Sequence, residues 1–89
     1  MRSGQKAVTT AGTAVQMTSV RGEIFAVVAM PTNTGVVYLG SDSTNLDVAS
    51  TSGYPLSPGQ SVTFACADLS ELWLDAATNG DKVAWLRLA

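Results

Sequence analysis

Residues 69–88, LSELWLDAATNGDKVAWLRL, limit the folds open to this chain more than any other stretch. Two apolar runs, residues 69–74 and 83–88, flank a short polar segment that contains Asn79-Gly80. Asn-Gly between apolar runs is a strong hairpin signal, because tight turns need positive φ at one or both central residues. With Asn79-Gly80 at the centre of the turn, Leu74 lies opposite Trp85 and shares a face with Leu72 and Val83. The other face then carries Trp73, Ala84, Leu86 and Leu88. A strand with one face in water alternates apolar with polar residues, and these barely do. A register shift by one residue exchanges partners without creating a polar side. One face is therefore expected to be core and the other to be covered, by a second sheet edge or by another protein chain.

The rest of the chain supplies strands of the same kind. Residues 23–30 (EIFAVVAM) are nearly continuous in apolar residues and stop at Pro31, which cannot continue a central ladder. Residues 31–35 form a turn, and residues 36–40 (VVYLG) predict the next strand, paired to the previous one as a hairpin. Residues 61–67 (SVTFACA) alternate cleanly, with Val62, Phe64 and Cys66 inward. Residues 53–59 hold two prolines and two glycines and read as punctuation. Shorter strands are expected at residues 7–10, 13–17 and 47–50, and one helical turn is compatible with residues 68–71. The spacing predicts an all-β fold, a small antiparallel β-sandwich or jelly-roll-like barrel of about seven or eight short strands. The domain is expected to span residues 7–89, after a flexible tail at residues 1–6. The expected inward set is Phe25, Val27, Val37, Leu39, Val62, Phe64, Leu72, Leu74, Leu86 and Leu88.

Eighty-nine residues make one domain. A chain of this size buries only about 60–65% of its unfolded surface, so a partner adds materially to its stability. Charged residues make up 13%, about half the usual share. A net charge of −2, with five scattered basic residues, offers no electrostatic footprint for nucleic acid. The N-terminus lacks the apolar segment of a signal peptide, and residues 24–30 are too short to span a bilayer. Synthesis in the cytoplasm without Sec-type export is expected, with no membrane partner.

Residue chemistry gives no reaction. The chain has no histidine, so Ser-His and Cys-His nucleophile pairs and most zinc sites are excluded. Phosphate-cradling and dinucleotide glycine motifs are absent too, and no cofactor is implied. Asp68, Glu71, Asp75 and Asp81 are close in sequence and could in principle serve carboxylate-pair chemistry. Solvated turn and strand-edge acids account for them more simply. Residues 42–47 offer oxygen ligands for Ca²⁺ but lack the glycine and distal glutamate of an EF-hand loop, and an Asx-turn explains them equally well. Cys66 cannot form an intrachain disulfide and reads as a small buried hydrophobe. Most aromatic residues are expected to fill the core, although a Trp–Tyr platform could stack on sugar rings.

Three segments taken together suggest a family. Residues 31–43 (PTNTGVVYLGSDS), 53–64 (GYPLSPGQSVTF) and 68–86 (DLSELWLDAATNGDKVAWL) resemble the small β-sandwich virion proteins of tailed bacteriophages, of the head decoration or cement type. In that pattern an N-x-G-x-V-Y-x-G strand precedes a G-x-x-L-x-P-G turn, and a D-A…N-G-D turn closes the domain. The position after Pro58-Gly59, often acidic in such sequences, is Gln60 here, and the first 20 residues have no counterpart. The resemblance implies a non-enzymatic structural protein on the capsid surface, with the major capsid protein as partner. It also implies a homo-oligomer, a trimer in preference to a dimer. A tail- or head-fibre-associated binding module, including a glycan-binding one, is the alternative. Interface candidates are Trp73, Trp85, Arg87 and Tyr54, with Arg2 and Lys6 in the N-terminal segment.

Overall fold

A computed structural model describes residues 2–40 and 53–89. Eight strands run through the described residues: β1 Ser3–Ala7, β2 Val15–Gln16, β3 Ile24–Ala29, β4 Val37–Gly40, β5 Tyr54–Leu56, β6 Ser61–Ala65, β7 Trp73–Ala76 and β8 Lys82–Arg87. A single 3₁₀ turn, Leu69–Glu71, precedes β7. The strands form two antiparallel four-stranded sheets, ordered β1-β8-β3-β6 and β2-β7-β4-β5. Each strand pairs with the one whose number completes nine: β1 with β8, β2 with β7, β3 with β6 and β4 with β5. This is the double-sheet jelly-roll order. No helix among the described residues is long and apolar enough to cross a membrane.

Between the sheets lie Phe25, Val27, Ala29, Val83 and Trp85 from one side and Val37, Leu39, Leu56, Leu74 and Ala76 from the other, all buried. Val8, Met17, Val20 and Leu69 plug the two ends. Phe25 stacks on Phe64, its partner across β3 and β6, with ring centroids 6.2 Å apart. Of the expected inward set, Phe25, Val27, Val37, Leu39 and Leu74 are buried. Val62, Phe64 and Leu72 are half-buried against the core. Leu86 and Leu88 face outward instead, because Val83 and Trp85 take the inward positions of β8.

The two expected hairpins are not hairpins. β7 and β8 belong to different sheets, and so do β3 and β4. Their apolar character has another origin: β7 is flanked by β2 and β4, and β8 by β1 and β3, so each is an interior strand of its own sheet. Asn79-Gly80 does turn the chain, with φ of 85° at Gly80 and an Asp81 N–H to Thr78 carbonyl bond of 3.3 Å. The turn serves a crossing between sheets.

That crossing is tied to the one from β3 to β4. The Asp81 carboxylate accepts the N–H groups of Thr34 (3.0 Å) and Gly35 (2.9 Å). The Asn33 side chain donates to the Lys82 carbonyl (2.8 Å) and accepts the Lys82 N–H (2.9 Å). Two backbone groups that a hairpin partner would satisfy are thereby satisfied by one amide.

Most of the segment expected to be a flexible tail is β1, in register with β8 from Ser3↔Leu86 to Ala7↔Lys82. Its sequence, SGQKA, carries no apolar alternation because the strand contributes mainly backbone pairing. The strand expected at residues 47–50 and the oxygen-rich loop at residues 42–47 lie outside the described residues.

Candidate functional site

Strand register assigns each residue of the β1-β8-β3-β6 sheet to one of its two faces. Ser3, Gln5 and Ala7 stand beside Leu86, Ala84 and Lys82. Leu86 and Ala84 in turn stand beside Ala26 and Val28, and β6 continues the row with Thr63 and Ser61. Ile24 and Ala65 extend the face at one end. Leu88 joins them, its N–H donating to the Ile24 carbonyl at 2.8 Å. None of these residues points into the sandwich, since the inward positions belong to Phe25, Val27, Val83 and Trp85. The outer face is therefore built from Ile, Leu, Val and Ala at its centre and Ser, Thr and Gln along β1 and β6. Lys82 is its one charged residue among the four strands. Ile24 and Leu88 are exposed, at 39% and 42%.

The other sheet is finished differently. On its outer side Trp73 pairs with Gln16 and Gly40, and Tyr38 with Asp75 and Pro55. Asp75 is fully buried there, because the β1–β2 connection folds over it and the Gly12 N–H donates to its Oδ1 at 3.0 Å. The same Oδ1 accepts the Ala76 N–H at 2.8 Å, while Oδ2 has no partner among the described residues.

The four acids that are neighbours in sequence separate to opposite ends of the sandwich. Asp75 and Asp81 serve the end just described. Asp68 caps the 3₁₀ turn: Oδ1 accepts Ser70 N–H (2.9 Å) and Val20 N–H (3.1 Å), and Oδ2 accepts the Ser19 hydroxyl (3.0 Å). Glu71 Oε2 completes a capping box by accepting the Ala67 and Asp68 N–H groups, both at 3.0 Å. The Ser70 bonds first, then those from Ser19 and Val20, hold the Asp68 carboxyl below its ordinary range. All four acids thus accept backbone N–H groups. No group of three Asp, Glu or Cys side chains placed to hold a metal occurs among the described residues.

Between the sheets, on the side where β5 and β6 form their edges, the described residues bound a cleft of about 400 Å³. Leu39, Tyr54, Val62, Phe64, Cys66 and Leu72 line it with apolar surface, and Glu71 lends it a carboxylate. Burial pushes the Cys66 thiol up, and the nearby Glu71 charge adds to this. The group is correspondingly poor as a nucleophile at neutral pH.

The candidates from sequence are not brought together. Trp85 is 6% exposed and belongs to the core, so it offers no surface for a partner. Its ring lies against Gly4, where an added Cβ would come within 2.9 Å of it. Trp73 is half-buried on the outer side of the second sheet. Tyr54, 58% exposed, lines the cleft. Arg87 is half-buried and donates to the Arg21 carbonyl at 3.2 Å. Arg2 is exposed, its carbonyl accepting the Arg87 N–H, and Lys6 is half-buried opposite Val83. Sequence reasoning missed the β3 half of the apolar face, Ile24, Ala26 and Val28. The signal was present in EIFAVVAM, which is apolar at both strand parities.

Comparison with protein families, with curated proteins and with solved structures finds no significant match to this chain.

Proposed function

We propose that this chain is a structural virion protein that decorates or cements the capsid shell of a tailed bacteriophage, with the major capsid protein as its partner. The observation that carries the reading is the outer face of the β1-β8-β3-β6 sheet. It is apolar, nearly free of charge, and formed by regular strands rather than by loops. Monomers in water rarely keep broad apolar patches, and those that exist mark places of interaction. An accessory protein that is assembled onto a lattice buries such a face in the assembly, between its own copies or against the shell. The jelly-roll order is compatible with this role, since capsid proteins use it widely, although the fold also serves lectins and cupins. The three sequence segments that resemble head decoration proteins supply the particular partner. In this reading the protein is non-enzymatic, works on the capsid surface without a cofactor, and has four acids committed to holding backbone N–H groups.

The test is addition of the purified chain to intact capsids that lack accessory proteins, followed by separation of bound from free. Binding should saturate at a fixed number of copies per capsid. Binding that rises without saturation, or none at all, would overturn the reading.

A further inference from the structure

The apolar face and the capsid reading together leave open what covers that face before any capsid is present. We infer that the outer face of the β1-β8-β3-β6 sheet is closed by the same face of a second copy of this chain, across a two-fold axis. The inference rests on the assembly reading above and gives that face its first occupant.

Charge selects the occupant. A partner that used ionic contacts would need counter-charges here, and across four strands the face offers only Lys82, at one end of β8. A neutral apolar face is complementary to itself, and an isologous contact needs no second surface on the molecule. Shape agrees with charge. Ala26 and Ala84 sit on the adjacent central strands β3 and β8 with Leu86 and Val28 as their cross-strand partners, giving a shallow relief of small and branched side chains. Such surfaces interdigitate when two sheets stack face to face about 10 Å apart. Area agrees as well. The molecule measures 32 × 26 × 18 Å along its principal axes, and a sandwich stacks its sheets along the short one. The broad face, 32 × 26 Å, is thus a footprint on the order of 800 Å², which matches what one partner contributes to a standard stable interface. The resemblance to decoration proteins favours a trimer, whereas one flat face per chain closes on a two-fold pair.

Sedimentation of the full chain at micromolar concentration, without capsids, reads the proposal directly. Twice the chain mass is expected. Ile24 and Leu88 are the exposed apolar members of the face, so charges placed there disturb the fold least. The paired variant I24K/L88K and the paired variant I24E/L88E should each sediment as a monomer with an unchanged far-UV spectrum, a loss of at least ~100-fold in self-affinity from like charges facing each other. Mixing the two should restore a dimer, which a merely misfolded variant could not do. A monomeric wild-type chain, a trimer, or face variants that stay dimeric would each overturn the inference. Monomers alone that fail to pair on mixing would also count against it, by placing the charges outside a shared interface. Because no capsid is present, failure here leaves saturable capsid binding to be judged separately, and failure to bind capsids leaves the sedimentation result intact.

Discussion

Single residues in this protein are committed mostly to closure of the sandwich, and Gly4 and Asp81 show how sharply. Gly4 lies opposite Trp85 in the β1–β8 register, and the indole occupies the space a side chain would need, 2.9–3.0 Å from a built Cβ. Trp85 is buried, so its ring cannot swing into solvent to make room. G4A is therefore expected to destabilise the fold by about 1–3 kcal/mol, the usual cost of overpacking, with a lower urea midpoint at unchanged slope as the readout. Asp81 works through hydrogen bonds. Its two oxygens satisfy the N–H groups of Thr34 and Gly35 in the crossing from β3 to β4, and the residue is 5% exposed. D81A leaves both donors without that acceptor, and a loss of about 2–4 kcal/mol follows from two part-buried unsatisfied groups. D81N, which keeps one acceptor oxygen, should fall between the two in the same urea titration.

At the level of elements, the strands were legible in the sequence and their partners were not. EIFAVVAM, VVYLG, SVTFACA and the flanks of Asn79-Gly80 carry period-two or continuous apolar patterns, and each contains a strand. Periodicity says nothing about which strand lies alongside. In a jelly roll the sequence neighbours β3 and β4, and β7 and β8, lie in opposite sheets. The information that separates them sits in side chains such as Asn33 and Asp81, whose partners are 46 to 49 residues away. β1 was illegible for a different reason, since an edge strand held by backbone pairing needs no apolar pattern. The capping box before β7 also makes a prediction at this scale. The Asp68 carboxyl is held below its ordinary range by the Ser70, Ser19 and Val20 donors. A carboxyl whose folded pKa is depressed contributes stability that is complete above its unfolded pKa, near 3.9, and is lost as the pH falls through the lower folded value. D68N should therefore lower stability at neutral pH and flatten the loss on acidification below about pH 4. An acid limb of the same steepness in D68N and wild type would show that the cap contributes nothing to it.

For the whole molecule, the sequence indicated an apolar surface needing cover but misplaced it. It assigned both faces of an imagined hairpin, and half of the real site, Ile24, Ala26 and Val28, comes from β3 next to β8 in the folded sheet. What survives is the chemical character of the surface, and this decides how assembly should respond to salt. The chain carries five basic and seven acidic residues. Asp68, Glu71, Asp75 and Asp81 are already bonded within the fold, so few charges remain to build an ionic interface. At 1 M salt the screening length falls to about 3 Å, which removes most of the attraction between exposed ion pairs, whereas burial of apolar area is not weakened. Occupancy of capsids by this protein is therefore expected to persist when salt is raised from physiological strength to about 1 M. The outward half-buried Trp73 is the residue to change beside it, because Trp is enriched among interface anchors and truncating one commonly costs about 2 kcal/mol or more. W73A should keep the β spectrum and, if Trp73 anchors the lattice contact, bind capsids at least ~30-fold more weakly, which is that cost expressed as affinity. Release of the wild-type protein by salt alone would show instead that the contact is ionic and that the apolar face serves only self-association.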